Sequence, residues 1–162
     1  MKLDKAIEDV QEAEAELAKR LRSVGERHAV EADLYHMSHT LARRSAGHLE
    51  TLRPFAQRYG ASAADDDVDK SPGVLETMRH KSANLLGRSE LSGLLLLRDL
   101  RELYLTAQNA EIAWVVLVQS ARAIRDGELH EVADTCREEA EVRWKWVRTR
   151  IKETAPQVIA AG

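Results

Sequence analysis

Apolar residues recur along this chain at alternating spacings of three and four, the period of one face of an α-helix. In the N-terminal stretch the stripe is Leu3, Ile7, Val10, Glu14, Leu17, Leu21, Val24 and His28. It predicts a helix over Leu3–Val30 with a bundle or coiled-coil seam. Asp33, a good N-cap residue, marks the expected start of a second helix. Its stripe is Leu34, Ser38, Leu41, Ser45, His48, Leu52, Phe55 and Tyr59. Gly60 suits the C-terminal stop, and Pro54 predicts a bend or an early end. A third helix is expected over Ser89–Arg125, with stripe Gly93, Leu97, Leu100, Tyr104, Ala107, Glu111, Trp114, Val118 and Ala121. Leu96, Leu103, Ala110, Leu117 and Ile124 widen it on one flank. After a turn at Asp126-Gly127 a fourth helix runs from Glu128 to about Thr154, with stripe Leu129, Ala133, Cys136, Ala140, Arg143, Val147 and Arg150. Pro156 follows its end, and the tail beyond is expected to be loosely held.

Residues 61–89 read as a connector rather than a second domain. "ASAADDDVDKSPG" has the composition of a surface loop, and "VLETMRHKSANLLG" suits a short helix. The acidic run lacks the Gly and distal Glu of a calcium loop and reads as solvated. The other two connections are nearly absent, and short connections join antiparallel neighbours. A connector of about 30 residues can instead travel the length of a bundle, roughly 40 Å, and leave the helices it joins parallel. The expected fold is a single all-α domain over residues 1–162: an antiparallel four-helix bundle with a long crossover between the second and third helices. An up-down-up-down bundle with a long loop is the plainer alternative. A shift of 95 residues places Leu34 on Leu129, Thr40 on Thr135 and Leu52 on Val147, a faint echo of a two-hairpin duplication.

Composition narrows the classes of function. Scarce Gly (8) and Pro (3) fit an all-helical chain. A net charge of −3, with both signs interspersed, offers no basic field for nucleic acid or anionic lipid. The longest apolar run, Ile112–Val118, is too short to span a bilayer, so no membrane association is expected. The charged N-terminal stretch has no apolar core of a secretory signal, and a single cysteine, Cys136, gives no disulfide framework; a cytoplasmic location is expected. The sequence shows no nucleophile constellation, glycine-rich phosphate loop or zinc-type spacing, and it names no small-molecule ligand. "EIAWVVLV" leaves the third helix without a polar face for two turns. That predicts a homodimer with this helix in or near the interface, unless the connector covers it.

Each stripe is interrupted by a polar residue partway along. Glu14 lies about 17 residues before the first turn and His48 about 16 after it, with Ser45 one turn earlier on the same stripe. Glu111 lies about 15 residues before Asp126-Gly127 and Arg143 about 16 after it. At a common rise per residue the four reach one level.

This pattern resembles the ferritin-like superfamily, and more closely its small bacterial members. The stretches "HMSHTLARRSAGHLETLRPFAQRYG" and "LLRDLRELYLTAQNAEIAWVVLVQSARAIRDGELHEVADTCREEAEVRWKWVRTRIKETAPQ" carry the resemblance and make up more than half of the chain. It implies a dinuclear iron or manganese site, with one Glu each from the first and third helices and a Glu-x-x-His pair from the second and fourth. Glu14 and Glu111 match the single glutamates, and His48 matches a histidine whose preceding Glu is here Ser45. On the fourth helix the pair is Ala140 and Arg143; of the nearby Glu138, Glu139 and Glu141, only Glu139 borders the stripe. A permanently positive guanidinium within about 5 Å of a dication is repelled by several kcal/mol. Without metal, Glu14 and Glu111 balance Arg143 and protonated His48. The expectation is therefore a degenerate dinuclear site with no cofactor, in a non-catalytic protein of structural, interaction or stress-related role. The alternative is an iron- or manganese-binding oxidase or storage-type protein with Glu14, His48, Glu111 and Glu139 as ligands. His36 and His39 are expected on the solvated face. Tyr104, Trp144 and Trp146 are expected in packing, with an indole stacked on Arg143 as an option, and Cys136 as an inert core residue.

Overall fold

The computed structural model describes residues 2–64 and 89–160. Among these it holds four helices and no strand: α1 (Leu3–Arg27), α2 (Ala32–Tyr59), α3 (Ser89–Ala123) and α4 (Gly127–Ile159). The acidic run and the short helix expected in the connector lie outside the described residues. No described helix is long and apolar enough to cross a membrane.

The helix ends differ from expectation for local reasons. α1 stops at Arg27, three residues early, with His28 closing it through an N–H to Val24 carbonyl bond of 3.0 Å. α2 begins at Ala32 and not after Asp33, whose carboxylate sits instead in the first turn, where the helix dipole favours it. The helix continues through Pro54 to Tyr59. Pro54 and Glu50, four residues before it, are both exposed, so solvent takes the carbonyl that proline leaves unbonded. Gly60 ends α2 with φ +71°, Gly60 N–H bonding Gln57 O at 3.4 Å and Ala61 N–H bonding Ala56 O at 2.9 Å. This is the paired-bond motif that favours glycine. The same motif ends α3, with Arg125 N–H to Arg122 O at 3.2 Å and Asp126 N–H to Ala121 O at 3.1 Å, but its left-handed residue is Arg125, φ +62°. Gly127, the expected turn residue, is the first of α4, which Asp126 caps by accepting from Leu129 N–H at 3.0 Å. α4 does not stop before Pro156 but runs on to Ile159. The C-terminal segment is docked: a Cβ added at Gly93 would lie 2.9 Å from Val158 Cγ2, so α3 and α4 approach closely because residue 93 has no side chain.

α1 packs against α2 and α3, α3 packs most extensively against α4, and α2 meets α4 along a lighter seam. The core falls into two apolar clusters. One gathers Leu3, Ile7, Val10, Leu52, Phe55, Leu117 and Leu129; the other gathers Leu17, Leu21, Leu34, Leu41, Leu100, Leu103 and Val147. All four helices pass from one cluster to the other near Glu14, His48, Trp114 and Arg143. On α3 the buried face is Leu96, Leu100, Leu103, Ala107, Ala110, Trp114, Leu117 and Ala121. It is turned toward the expected flank, leaving Gly93, Leu97, Tyr104 and Glu111 half-buried at its edge. Period alone does not choose between adjacent apolar stripes; the leucine-rich one removes more apolar area from water.

The turn geometry yields a test. A non-glycine residue in the left-handed region costs about 1 kcal/mol, part of which a glycine returns through its freer unfolded chain. Arg125→Gly is expected to stabilise the protein by about 0.5–1 kcal/mol. A urea titration should show a higher midpoint with an unchanged slope.

Candidate functional site: a buried ionic layer

Glu14 sits at the middle of α1 with no solvent exposure. A carboxylate taken out of water is a severe cost unless its oxygens are hydrogen-bonded. Here both are, by side chains from three other helices. Arg143 on α4 forks onto both oxygens, Nη2 to Oε1 at 2.5 Å and Nη1 to Oε2 at 2.8 Å. Trp114 on α3 donates its indole N–H to Oε1 at 2.6 Å, and His48 Nδ1 on α2 lies 3.1 Å from the same oxygen. Three of these contacts fall on Oε1 and one on Oε2. Arg143, 1% exposed, also donates from Nη1 to Ser45 Oγ at 2.7 Å, while its Nε–H finds no acceptor among the described residues. Burial opposes the charge on Glu14. The Arg143 guanidinium and the His48 ring outweigh that, and the carboxyl is held down to about 2.

His48 is a buried ring between two carboxylates. Its Nε2 lies 2.6 Å from Glu139 Oε2, on the side away from Glu14, and Trp114 meets its ring edge-to-face at 5.8 Å. Each ring nitrogen has a carboxylate oxygen within hydrogen-bond distance, and Arg143 Nη1 also lies 3.4 Å from Nδ1.

This arrangement brings together three of the four residues expected as metal ligands, together with Arg143, and leaves one out. Glu111 is half-buried and makes none of the bonds of the layer; the charge balance expected of it falls to Glu139. The third helix sends an N–H donor instead, from Trp114, three residues further along its rotated face. Sequence reasoning had placed Trp114 on the stripe as an apolar residue; the indole N–H in a polar layer was the available signal.

The other sequence candidates are also placed. His36 is exposed, but His39 is half-buried and bonded, Nδ1 to Tyr35 O at 2.8 Å and Nε2 to Glu26 Oε1 at 3.1 Å, so it is not simply solvated. Trp144 stacks under Arg148, 5.0 Å from the ring centroid, and meets Tyr104 edge-to-face; Arg143 is engaged elsewhere. Cys136 is buried, and burial pushes its thiol up to about 12, which suits an inert core residue. A second buried acid escaped the sequence reading. Asp99 on α3, 2% exposed, takes His28 Nε2 at 2.8 Å and Arg27 Nη1 at 2.9 Å on one oxygen. Burial again opposes the charge, and His28 and Arg27 hold its carboxyl down to about 2.

Where α2 and α4 meet lightly, a cavity of about 460 Å³ opens, lined in part by Gly47, His48, Thr51, Thr135, Cys136 and Glu139. Glu139 stands at its edge with its side chain 49% exposed, so the polar layer reaches solvent through this seam alone among the contacts described.

Comparison with models of protein families, with curated proteins and with solved structures gives no match. The residues do not fit the dinuclear metal that the family resemblance implies. Both oxygens of Glu14 are already bonded by the guanidinium at the centre of the layer, and His48 holds its two carboxylates on opposite sides of the ring. Among the described residues no three His, Cys, Asp or Glu side chains form a metal-binding set.

Two measurements test the layer. Arg143→Met leaves Glu14 buried without its main partner and should cost about 3–5 kcal/mol, whereas Glu14→Leu combined with Arg143→Met should recover most of that loss. Chemical denaturation of the single and double variants reads the difference. Acidification reads the charge directly. Glu14 has a depressed carboxyl, so its contribution is complete above the ordinary value of 4.5 and is lost as pH falls toward about 2. Stability should fall by on the order of 3 kcal/mol across that window on account of Glu14. In Glu14→Gln the slope should shrink, leaving the part due to Asp99.

Proposed function

We propose that this protein is a ferritin-like antiparallel bundle in which an ionic layer stands where relatives would hold a dinuclear metal, and that its role is structural or interactive rather than catalytic. The order of the contacts supports the architecture. Glu26 meets His39 while Glu14 meets His48, so α1 and α2 run in opposite directions. His28 meets Asp99 while Glu14 meets Trp114, so α3 also opposes α1. Tyr59 bonds Asp126 at 2.5 Å while Ser45 meets Arg143, so α4 opposes α2. Two helices that both oppose α1 are parallel to each other. A chain leaving α2 beside Asp126 and entering α3 near Val158 has the bundle's length to cross, as a ferritin-like crossover does.

One observation carries the functional reading: both oxygens of Glu14, the innermost carboxylate, are already bonded, Oε1 by Arg143, Trp114 and His48 and Oε2 by Arg143. A metal ion at this point would have to displace a forked guanidinium and then sit beside it. The competing reading, an iron or manganese oxidase or storage protein, needs those same oxygens free.

Purified protein incubated anaerobically with ferrous iron or manganese(II), then desalted, should carry well under one metal ion per chain. Aerobic addition of ferrous iron should give no faster ferric absorbance than buffer. Retention of one or two ions per chain, abolished by Glu14→Gln, would overturn this reading in favour of a metal site.

A further inference from the structure

α3 has two apolar faces. The buried one is described above. Almost opposite to it, at 100° per residue, lie Leu91, Leu94, Leu95, Leu105, Ile112 and Val116. All are exposed, Leu105 the most at 66% and Ile112 at 56%. The stripe runs about 37 Å along the helix, longer than the scattered single apolar residues of an ordinary surface.

Its spacing identifies the occupant. Four of the six exposed positions pair about a point between Leu103 and Tyr104, whereas Leu94 falls opposite Ala113 and Leu105 opposite Glu102. Leu91 mirrors Val116, Leu95 mirrors Ile112, and Leu105 lies beside the centre. A two-fold interface requires a surface that matches itself when reversed, and a partner of unrelated sequence imposes no such condition. Charge selects the same direction. Arg98 stands on this face, its side chain 58% exposed. A parallel pair of helices would set Arg98 against its own copy. An antiparallel pair sets it opposite Asn109 and keeps the two arginines roughly 16 Å apart, beyond the screening length at physiological salt. In that register exposed Arg101 falls opposite Thr106, and Arg98 keeps its bond to Asp99 Oδ1 at 3.3 Å.

We propose that this stripe is the interface of a homodimer, two copies of α3 packing antiparallel about a two-fold axis beside Leu105. Leu105 meets its own copy at the axis, Leu95 packs on Ile112 of the second copy, and Leu91 packs on its Val116. A strip of this length and one helix wide buries roughly 1,000 Å² over both copies, the lower limit for a specific interface, so a weak, reversible dimer is expected. The inference rests on the exposed face of α3 and not on the ionic layer, so it stands or falls apart from the metal measurements.

Sedimentation equilibrium from about 1 to 200 µM tests it. The wild-type chain should shift from the 18.2 kDa monomer to a dimer across the range. Leu105→Glu should weaken association by roughly 100-fold or more while leaving the monomer's melting temperature unchanged, because the position is already exposed. Direction is read by a short bis-maleimide in a Cys136→Ala background. A mixture of Leu91→Cys and Val116→Cys chains should cross-link to each other, and Leu91→Cys chains alone should not. A monomer at every concentration, with Leu105→Glu lowering the melting temperature, would mean that the chain's own connector covers the face. A dimer insensitive to Leu105→Glu would place the interface elsewhere, and efficient Leu91–Leu91 cross-linking would make it parallel; each overturns the proposal.

Discussion

A carboxylate with no solvent exposure remains an anion only while a cation meets it, and in this protein the pair is Glu14 and Arg143. The two residues come from α1 and α4, helices that share little other surface. The fork between them is a bond across the diagonal of the bundle. It holds both oxygens of one group against both terminal nitrogens of the other, a geometry with almost no freedom to slide. Every other feature of the layer follows from the need to complete it. Ser45 takes the remaining hydrogen of Arg143 Nη1, Trp114 and His48 fill Glu14 Oε1, and Glu139 balances His48 from the outside.

Such a layer is a poor way to gain stability, because desolvating two charges cancels much of their attraction. Its effect is on alternatives. The apolar clusters on either side are built largely of Leu, Ala and Val, and helices faced with such residues pack nearly as well after a slip of one turn. A slip here would strand Glu14 against leucines. One polar level contacted by all four helices penalises such a slip in each of them, which uniform packing above and below does not do.

Much of this was legible in the sequence. Interrupted stripes located Glu14, His48 and Arg143, and counting from the turns put them on one level, because rise per residue in a helix is nearly constant. What was not legible was rotation. On α3 two neighbouring stripes are both apolar, and the difference of about one residue decides whether Glu111 or Trp114 enters the layer. Asp99 escaped for the same reason: it lies off the expected stripe but on the true face, beside Leu96 and Leu103. The helix ends were missed through backbone detail, since Arg125 takes a conformation that composition assigns to Gly127. Pro156 was read as a stop, although an exposed proline near a helix end loses one bond and Val158 beyond it regains contact at Gly93.

The two buried acids share one design, and comparing them clarifies the layer. Asp99 is paired with Arg27 and His28, the last residue of α1 and the one that caps it, where the carbonyl end of the helix itself favours positive charge. Glu14 and Arg143 sit at mid-helix, where no such field exists, so their partners must be supplied wholly by side chains. That explains the larger cast around Glu14 and the use of an aromatic donor: indole brings an N–H with a broad apolar body and adds no charge. It also explains why the layer opens to solvent at α2 and α4. Glu139 can remain half exposed because it answers only the outer nitrogen of His48. Were it drawn fully inside, its own desolvation would have to be offset by a further partner.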